Sequence, residues 1–479
     1  MANGSNDVMV QDLLPAFDGQ DTSAANLKMI RESFEKQGVV MVKVLEQGRC
    51  ADLVLEQWRE VLLQQPWAAQ HRLKVRDATG RELDVNSAAD RDAFLSVVKG
   101  PLDKKRRAEF EKGWCLHRGF GACCDPSVFH LPGVWNIRQD PGIYEIATAL
   151  TGRKDLWVDI NRSIQKLPGQ GEKEFLHWDL NPFTQTDSNS NASAQIDSNS
   201  NASGAAAGGG ASCSSSNSIC GKVVYTKSRF VCVKGTHTRA FHKKFAELYK
   251  AIYPDTKASA VKFGLKFDRE DPLKLVEKQR EYQIPAGCLV FWNPLLLHGQ
   301  VKSPLDAPVE YGCYLGFFPA GARPPYEQIS GKCEREDRLG SFQDGRAPEL
   351  WPSFDRVHYY PFRFRNFPSI LKGYIDKMDP GHPSISTRVT TAGASAPHLV
   401  PLVNPAYLPP VLSVLGRRLL GAEDWPGAVG AIPALGGIGA ISGGIGAIGG
   451  GAAPRGGPAS KPKASSLRAR ARKGAGGCG

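Results

Sequence analysis

The sequence predicts an α+β fold, mainly β with packed helices, and three observations carry that expectation. Amphipathic helical stripes alternate with β-branched strands in the first third of the chain. A strand pair, "KVVYTKSRFVCV", and a continuous apolar strand from Cys288 to Trp292 follow a low-complexity stretch. Hydrophobic residues at 41% and charged residues at 23% are ordinary for a soluble globular protein, which excludes collagen-like and fully disordered classes. At 479 residues the chain is long enough for one catalytic domain with added tails.

Taken in order, residues 1–22 form an N-terminal segment expected to be disordered, and "MANGSNDVMVQDLLPAF" lacks the basic start and apolar core of a secretory signal. "NLKMIRESFEKQGVVMVKVL" sets Leu27, Ile30 and Phe34 on one helical face, turns at Gly38 and continues as a strand from Val39 to Val44. "ADLVLEQWREVLL" is a second helix. In "GIYEIATALTGRKDLWVDI", Ile143, Ile146, Ala147 and Leu150 line a helix that Gly152 closes, and Leu156 to Ile160 extend as a strand. Residues 184–218 repeat "DSNSNAS" and then run through Ala, Gly and Ser with little apolar bulk, so they read as a disordered insertion. Beyond it, Phe241, Phe245, Leu248 and Ile252 form a helical stripe that suits a core-facing surface.

These elements assign residues 23–375 to one domain and residues 376–479 to a Gly/Ala/Pro-rich linker and basic tail. Residues 426–454 are uncharged and long enough to span a membrane. Their eleven glycines, each costing a helix about 1 kcal/mol relative to alanine, favour a flexible linker instead, and no membrane association is expected. The net charge of +12 is largely a tail property: Arg455, Lys461, Lys463, Arg468, Arg470, Arg472 and Lys473 have no acidic partner after residue 454. Such a tail is compatible with nucleic-acid binding or a nuclear address; a solvated end is the simpler reading. Eleven cysteines without a CxxC form neither a disulfide framework nor a zinc pattern, so reduced thiols in cytoplasm or nucleus are expected.

The chemistry concentrates in "FLHWDLNPF". On a strand, His177 and Asp179 project to one side and Trp178 to the other, so imidazole and carboxylate can reach one ion. They are two thirds of the facial triad that binds non-haem Fe(II) and leaves positions open for chemistry. For the third ligand, His298 leaves the strand Cys288 to Trp292 next to a glycine, which keeps its neighbourhood clear. His237, in "KGTHT", sits in a loop before a helix, where a capping role is the better default. Two other stretches carry less. "LWPSFDRVHYYPFRFRNFP" suits an extended arm as well as base stacking, and "GWCLHRGFGACC" follows no strand and is not a phosphate loop.

"DPGIYEIATALTGRKDLWVDINR", "FLHWDLNPF", "VKGTHT" and "IPAGCLVFWNPLLLHG", in this order, resemble the phytanoyl-CoA dioxygenase-like branch of the Fe(II)/2-oxoglutarate oxygenases, from about Val39 to about Pro319. The resemblance implies a double-stranded β-helix, a jelly-roll or cupin-like core with helices on one side and iron on His177, Asp179 and His298. It implies 2-oxoglutarate and O2 as co-substrates and hydroxylation of a small organic substrate, with Trp292 and Tyr225 as pocket walls. It also exposes a departure. The family carries an arginine about eleven residues after the distal histidine, for the far carboxylate of 2-oxoglutarate, whereas this chain has Val309. A buried carboxylate needs a partner. The replacements weighed are Lys302, Arg162, Lys227 and, because amides on that strand help hold 2-oxoglutarate in related oxygenases, Gln165. Asn161, Ser163 and Gln165 share one face and Arg162 takes the other, so only one set can line the barrel. Two alternatives stay open: an iron oxygenase with another co-substrate, and a non-catalytic barrel that binds a ligand or nucleic acid.

Overall fold

The computed structural model describes residues 14–63, 73–113, 129–169, 175–179, 218–252, 273–300, 303–321, 334–345, 348, 350–352, 357–359 and 407–426. Most of the 184–218 insertion, most of the residue 350–368 stretch and the basic tail lie outside them. Strand β1 (Ala16–Asp18) opens the described chain, inside the segment expected to be disordered, and pairs in parallel with β2 (Val39–Lys43). Between them, helix α1 (Ala24–Gln37) starts at Ser23, whose side chain accepts from the Asn26 N–H, and ends at Gly38 in the left-handed region (φ 77°). A side chain at Gly38 would collide with the His237 ring, whose Nε2 lies 2.9 Å from the Glu35 carbonyl. His237 therefore closes the end of α1, as a capping residue does.

Helices α2 (Gln47–Leu63), α3 (Arg91–Lys99), α4 (Lys104–Gly113), α5 (Pro132–Arg138) and α6 (Pro141–Thr151) follow. Strands β3 (Leu156–Val158), β4 (Ser163–Lys166), β5 (Phe175–His177), β6 (Ile219–Val224) and β7 (Ser228–Cys232) come next. Helices α7 (Arg239–Ile252) and α8 (Leu275–Lys278) precede β8 (Arg280–Ile284), β9 (Cys288–Trp292), β10 (His298–Gln300) and β11 (Glu310–Pro319). Helix α9 (Glu334–Asp344), the hairpin of β12 (Leu350–Pro352) with β13 (Val357–Tyr359), and α10 (Val414–Leu420) complete the described elements.

The strands form two main sheets. The larger has the order β1-β2-β9-β6-β11-β3, with β4 also on β11; the smaller has the order β5-β10-β7-β8. Along the chain β4, β6, β9 and β11 join the larger sheet, while β5, the β7–β8 pair and β10 join the smaller one between them, which is the winding of a double-stranded β-helix. Period-two alternation sorts the side chains into three cores. Val40, Val42, Val223, Leu289, Phe291, Tyr311, Cys313, Leu315 and Phe317 face the helices and pack with Trp58, Phe94 and Trp135. Their neighbours Val39, Met41, Cys220, Val224, Val290 and Trp292 face Phe230, Cys232, Tyr282 and Ile284 of the smaller sheet, so this second core is the barrel interior. A third, with Leu176, Trp178, Val231 and Leu297, covers the outside of the smaller sheet under Phe245 of α7.

One difference from the sequence reading concerns residues 407–426, expected to be linker. Leu419 and Leu420 are buried, and Arg338 of α9 donates to the carbonyls of Leu419 (2.9 Å), Leu420 (3.0 Å) and Val158 (2.7 Å). Trp425 donates to the Leu156 carbonyl at 3.0 Å and stacks on Tyr144, 5.4 Å between centroids. The strap lies along β3, the last strand of the larger sheet, and covers an edge that would otherwise be open. Only a few apolar residues separated by Pro and Gly do this, so composition alone gives linker. Arg338→Met leaves three buried carbonyls short of a donor and should lower unfolding stability by about 3 kcal/mol, read from urea midpoints.

Candidate metal centre

Strand β10 pairs with β5 so that His298 stands opposite His177, while its other edge sets His298 opposite Cys232 of β7. Asp179 lies two residues beyond His177, its N–H held by the Pro294 carbonyl at 3.1 Å. Trp178 between them turns outward onto Phe245, 5.1 Å between centroids, as strand alternation requires. The ligand atoms of His177, Asp179 and His298 lie within 4.8 Å of one another. Asp179 Oδ1 is 3.7 Å from His177 Nε2, and Asp179 Oδ2 is 3.6 Å from His298 Nε2. These gaps exceed a hydrogen bond, so neither imidazole nitrogen is bonded to the carboxylate, and one carboxylate oxygen with the two histidines can reach a single ion.

Second contacts prepare the donors. His298 Nδ1 lies 3.0 Å from the Leu296 carbonyl; as a donor there it leaves the Nε2 lone pair directed at the centre. The His298 ring is stacked on Phe230 at 5.8 Å and lies 5.0 Å from Trp292. Burial would raise the Asp179 pKa, but His298, His177 and hydrogen bonds from Trp292 and Cys220 outweigh it, and the carboxyl sits below its ordinary range. Among the described residues no other cluster of this kind occurs.

Row by row, strand registers locate the remaining candidates. Cys220 pairs with Gly316 and Trp292, forming the row of the larger sheet that touches Asp179. The next interior row holds Arg162, Tyr314, Lys222 and Val290: the Tyr314 N–H donates to the Arg162 carbonyl, and Lys222 pairs with Tyr314 and Val290. The Arg162 guanidinium lies over the Tyr314 ring at 5.0 Å, so Arg162 is on the interior face. Gln165 is on the other. Its Nε2 is 3.4 Å from Tyr311 Oη in the helix-facing core, where Trp58 also donates to that oxygen at 2.9 Å. The amide expected on the co-substrate thus faces the helices.

Tyr225 is likewise in the helix-facing core rather than on the barrel's interior face, one residue beyond the inward Val224. Lys227 is exposed in the turn between β6 and β7, and Lys302 lies outside the described residues. Trp292, expected as a pocket wall, lies beside the metal ligands with its indole N–H on Asp179. Val309 packs in the helix-facing core, so the position expected for arginine does not face the barrel; Glu310 does.

Sequence reasoning missed a charged group deeper in the barrel. Lys222 Nζ is 2.6 Å from Glu310 Oε1 and 2.5 Å from Ser228 Oγ, with both charged side chains buried. Lys166, opposite Glu310, is pushed down to about 8 by burial, against the attraction of Glu310. Burial would raise Glu310, yet Lys222 and Lys166 hold it below the usual carboxylate range. The available signal was a lysine inside the apolar strand "ICGKVV", which a strand buried on both faces tolerates only with a partner.

The comparisons with known proteins add little. No family model and no curated protein matches the chain. Among solved structures, the chain is similar to the epimerase SnoN in complex with Fe3+, alpha ketoglutarate and nogalamycin RO, at 13% identity and a TM-score of 0.32, over 62% of this chain and 85% of that one. It is similar to EctD from S. alaskensis with bound Fe at 10% identity and a TM-score of 0.30, over 66% and 80%. The apo form of the non-heme monooxygenase ThoJ gives 11% and 0.32, over 61% and 80%. Overlaps this shallow carry no argument; the fold stands on the strand order and the centre on its own geometry. Together these define a double-stranded β-helix with a two-histidine, one-carboxylate cluster inside the barrel.

The loop that delivers His298 is held by His242, whose Nε2 lies 2.5 Å from the Thr236 carbonyl and 3.2 Å from that of Leu295. Its Nδ1 is buried without a hydrogen-bond partner, and burial pushes the imidazole down from 6.5 to about 4. The folded state therefore binds this proton less readily than the unfolded one. Stability linked to His242 should be intact above about pH 6.5 and fall as pH drops towards 4, by up to a few kcal/mol. Urea midpoints against pH should show this slope, and His242→Gln should flatten it.

Proposed function

We propose that this protein is a non-haem Fe(II)- and 2-oxoglutarate-dependent oxygenase acting on a small organic substrate. The observation that carries this reading is the convergence of His177, Asp179 and His298 on one point inside a double-stranded β-helix. Three donors on one side leave the other side of an octahedral ion for co-substrate and oxygen. Bound there, iron with 2-oxoglutarate supplies the oxygen-activating chemistry that converts a substrate C–H to C–OH. The protein's part is to hold and orient. His298 keeps its Nε2 presented through its Nδ1 contact, and Arg162 offers a guanidinium one interior row from Trp292 and Cys220. Arg162 stands on the strand beyond β11, one row along from Cys220 on the same interior face, and its planar fork suits the far carboxylate of a dicarboxylate whose other end is at the metal. Arg162 thus takes the part that Val309 cannot.

A second reading, iron with another co-substrate, is favoured by one observation: the Lys222 ammonium in the same row is already matched by the chain's own Glu310. The two separate in one experiment. Anaerobic addition of Fe(II) and then 2-oxoglutarate should produce a visible charge-transfer band; iron binding without that band supports the second reading. His177→Ala with Asp179→Ala should abolish the band and any succinate release. Arg162→Leu should keep iron binding and raise the 2-oxoglutarate concentration for half-saturation by at least ~10-fold, the loss of about one charged hydrogen bond. An unchanged half-saturation would remove Arg162 from this role.

A further inference from the structure

The geometry points to Trp292, aided by Cys220, as a positioning residue that holds Asp179 Oδ2, so that the carboxylate offers the metal Oδ1 alone; this rests on the metal-centre reading above. Trp292 Nε1 donates to Asp179 Oδ2 at 2.8 Å, a short charge-assisted hydrogen bond. The Cys220 thiol is a second donor to the same carboxylate.

The placement follows from the fold. Cys220 and Trp292 are opposite each other on β6 and β9 and share the interior face, whereas Asp179 arrives from the smaller sheet across the barrel. The indole cannot drift, because its ring lies 5.3 Å from Phe230 and 5.0 Å from His298, and Trp292 is 5% exposed. One side chain thus touches two of the three ligands, holding the carboxylate through its N–H and the imidazole through its face. A carboxylate free to rotate can chelate through both oxygens and consume a position that a co-substrate or oxygen needs. With Oδ2 pinned, the single-oxygen mode is built in before metal arrives.

Co(II), whose visible d–d bands report ligand number and geometry, is the probe. Trp292→Phe keeps an aromatic ring against Phe230 and His298 and removes the N–H. Its Co(II) dissociation constant should rise by roughly 10- to 100-fold, and its d–d spectrum should change as the carboxylate becomes two-toothed. Cys220→Ala should move affinity in the same direction by less, and Cys220→Ser, which restores a donor, should return it towards the parent. Should Trp292→Phe fail to fold, benzothienylalanine placed at position 292 by codon suppression keeps the shape and lacks the N–H. A folded protein of either kind, with affinity within about twofold of the parent and an unaltered spectrum, overturns the clamp while leaving the metal centre standing. Absence of Co(II) binding in the parent protein removes the metal centre and the clamp with it.

Discussion

A single register between β5 and β10 is the constraint on which the rest depends. It places His298 opposite His177 with their rings 4.4 Å apart and turns Leu176 and Trp178 outward into the third core. A one-residue slip would send one histidine out of the barrel and bring an apolar side chain in, so apolar packing on the outer face and the ligand set on the inner face are fixed by one choice. Burying Trp178 against Phe245 therefore acts on the inner face as well, by holding the register from outside.

The larger sheet contributes the second half of the centre through the same period-two rule. Cys220, Lys222 and Val224 alternate with Gly221 and Val223, and only the first set points across the barrel. Gly221 is required on the other face: a methyl there would meet the Leu315 carbonyl at 2.6 Å and the Phe291 ring at 2.9 Å. Its absence of side chain lets β6 lie close against β9 and β11, which brings the Cys220 and Trp292 side chains level with Asp179.

Much of this was legible in the residues. The His177–Asp179 pair followed from strand periodicity alone, and the glycine after His298 with the apolar strand before it was enough to prefer that histidine over His237. Which face of β4 lines the barrel was not legible, because alternation gives two sets and says nothing about which is inside. Gln165 was favoured from the resemblance, yet Tyr311 and Trp58 claim its face for the helices. Tyr225 stands on the helix side by the same alternation. Counting eleven residues from His298 reached Val309, whereas the inward residue is Glu310, since sequence spacing does not register how a loop such as 303–309 enters a strand. The strap at 407–426 was invisible because its hold on β3 comes from Arg338 and Trp425 contacts made over long sequence separations.

The Lys222–Glu310 pair bears on how the barrel treats charge. Two buried ions of opposite sign are weak evidence for stability, since apolar residues of similar volume serve as well. What the pair does supply is direction: Lys222 reaches Ser228 on the facing sheet and Glu310 on β11, tying three strands across the interior. In the same row the Arg162 guanidinium is cradled by the Tyr314 ring, whose own side chain is only partly buried. An arginine on β11, by contrast, would stand beside Lys166 and Lys222 and add like charge to a site of low dielectric. Once the interior lysines are in place, a carboxylate at position 310 keeps buried charges of opposite sign adjacent, while position 309, turned to the helices, takes an apolar side chain.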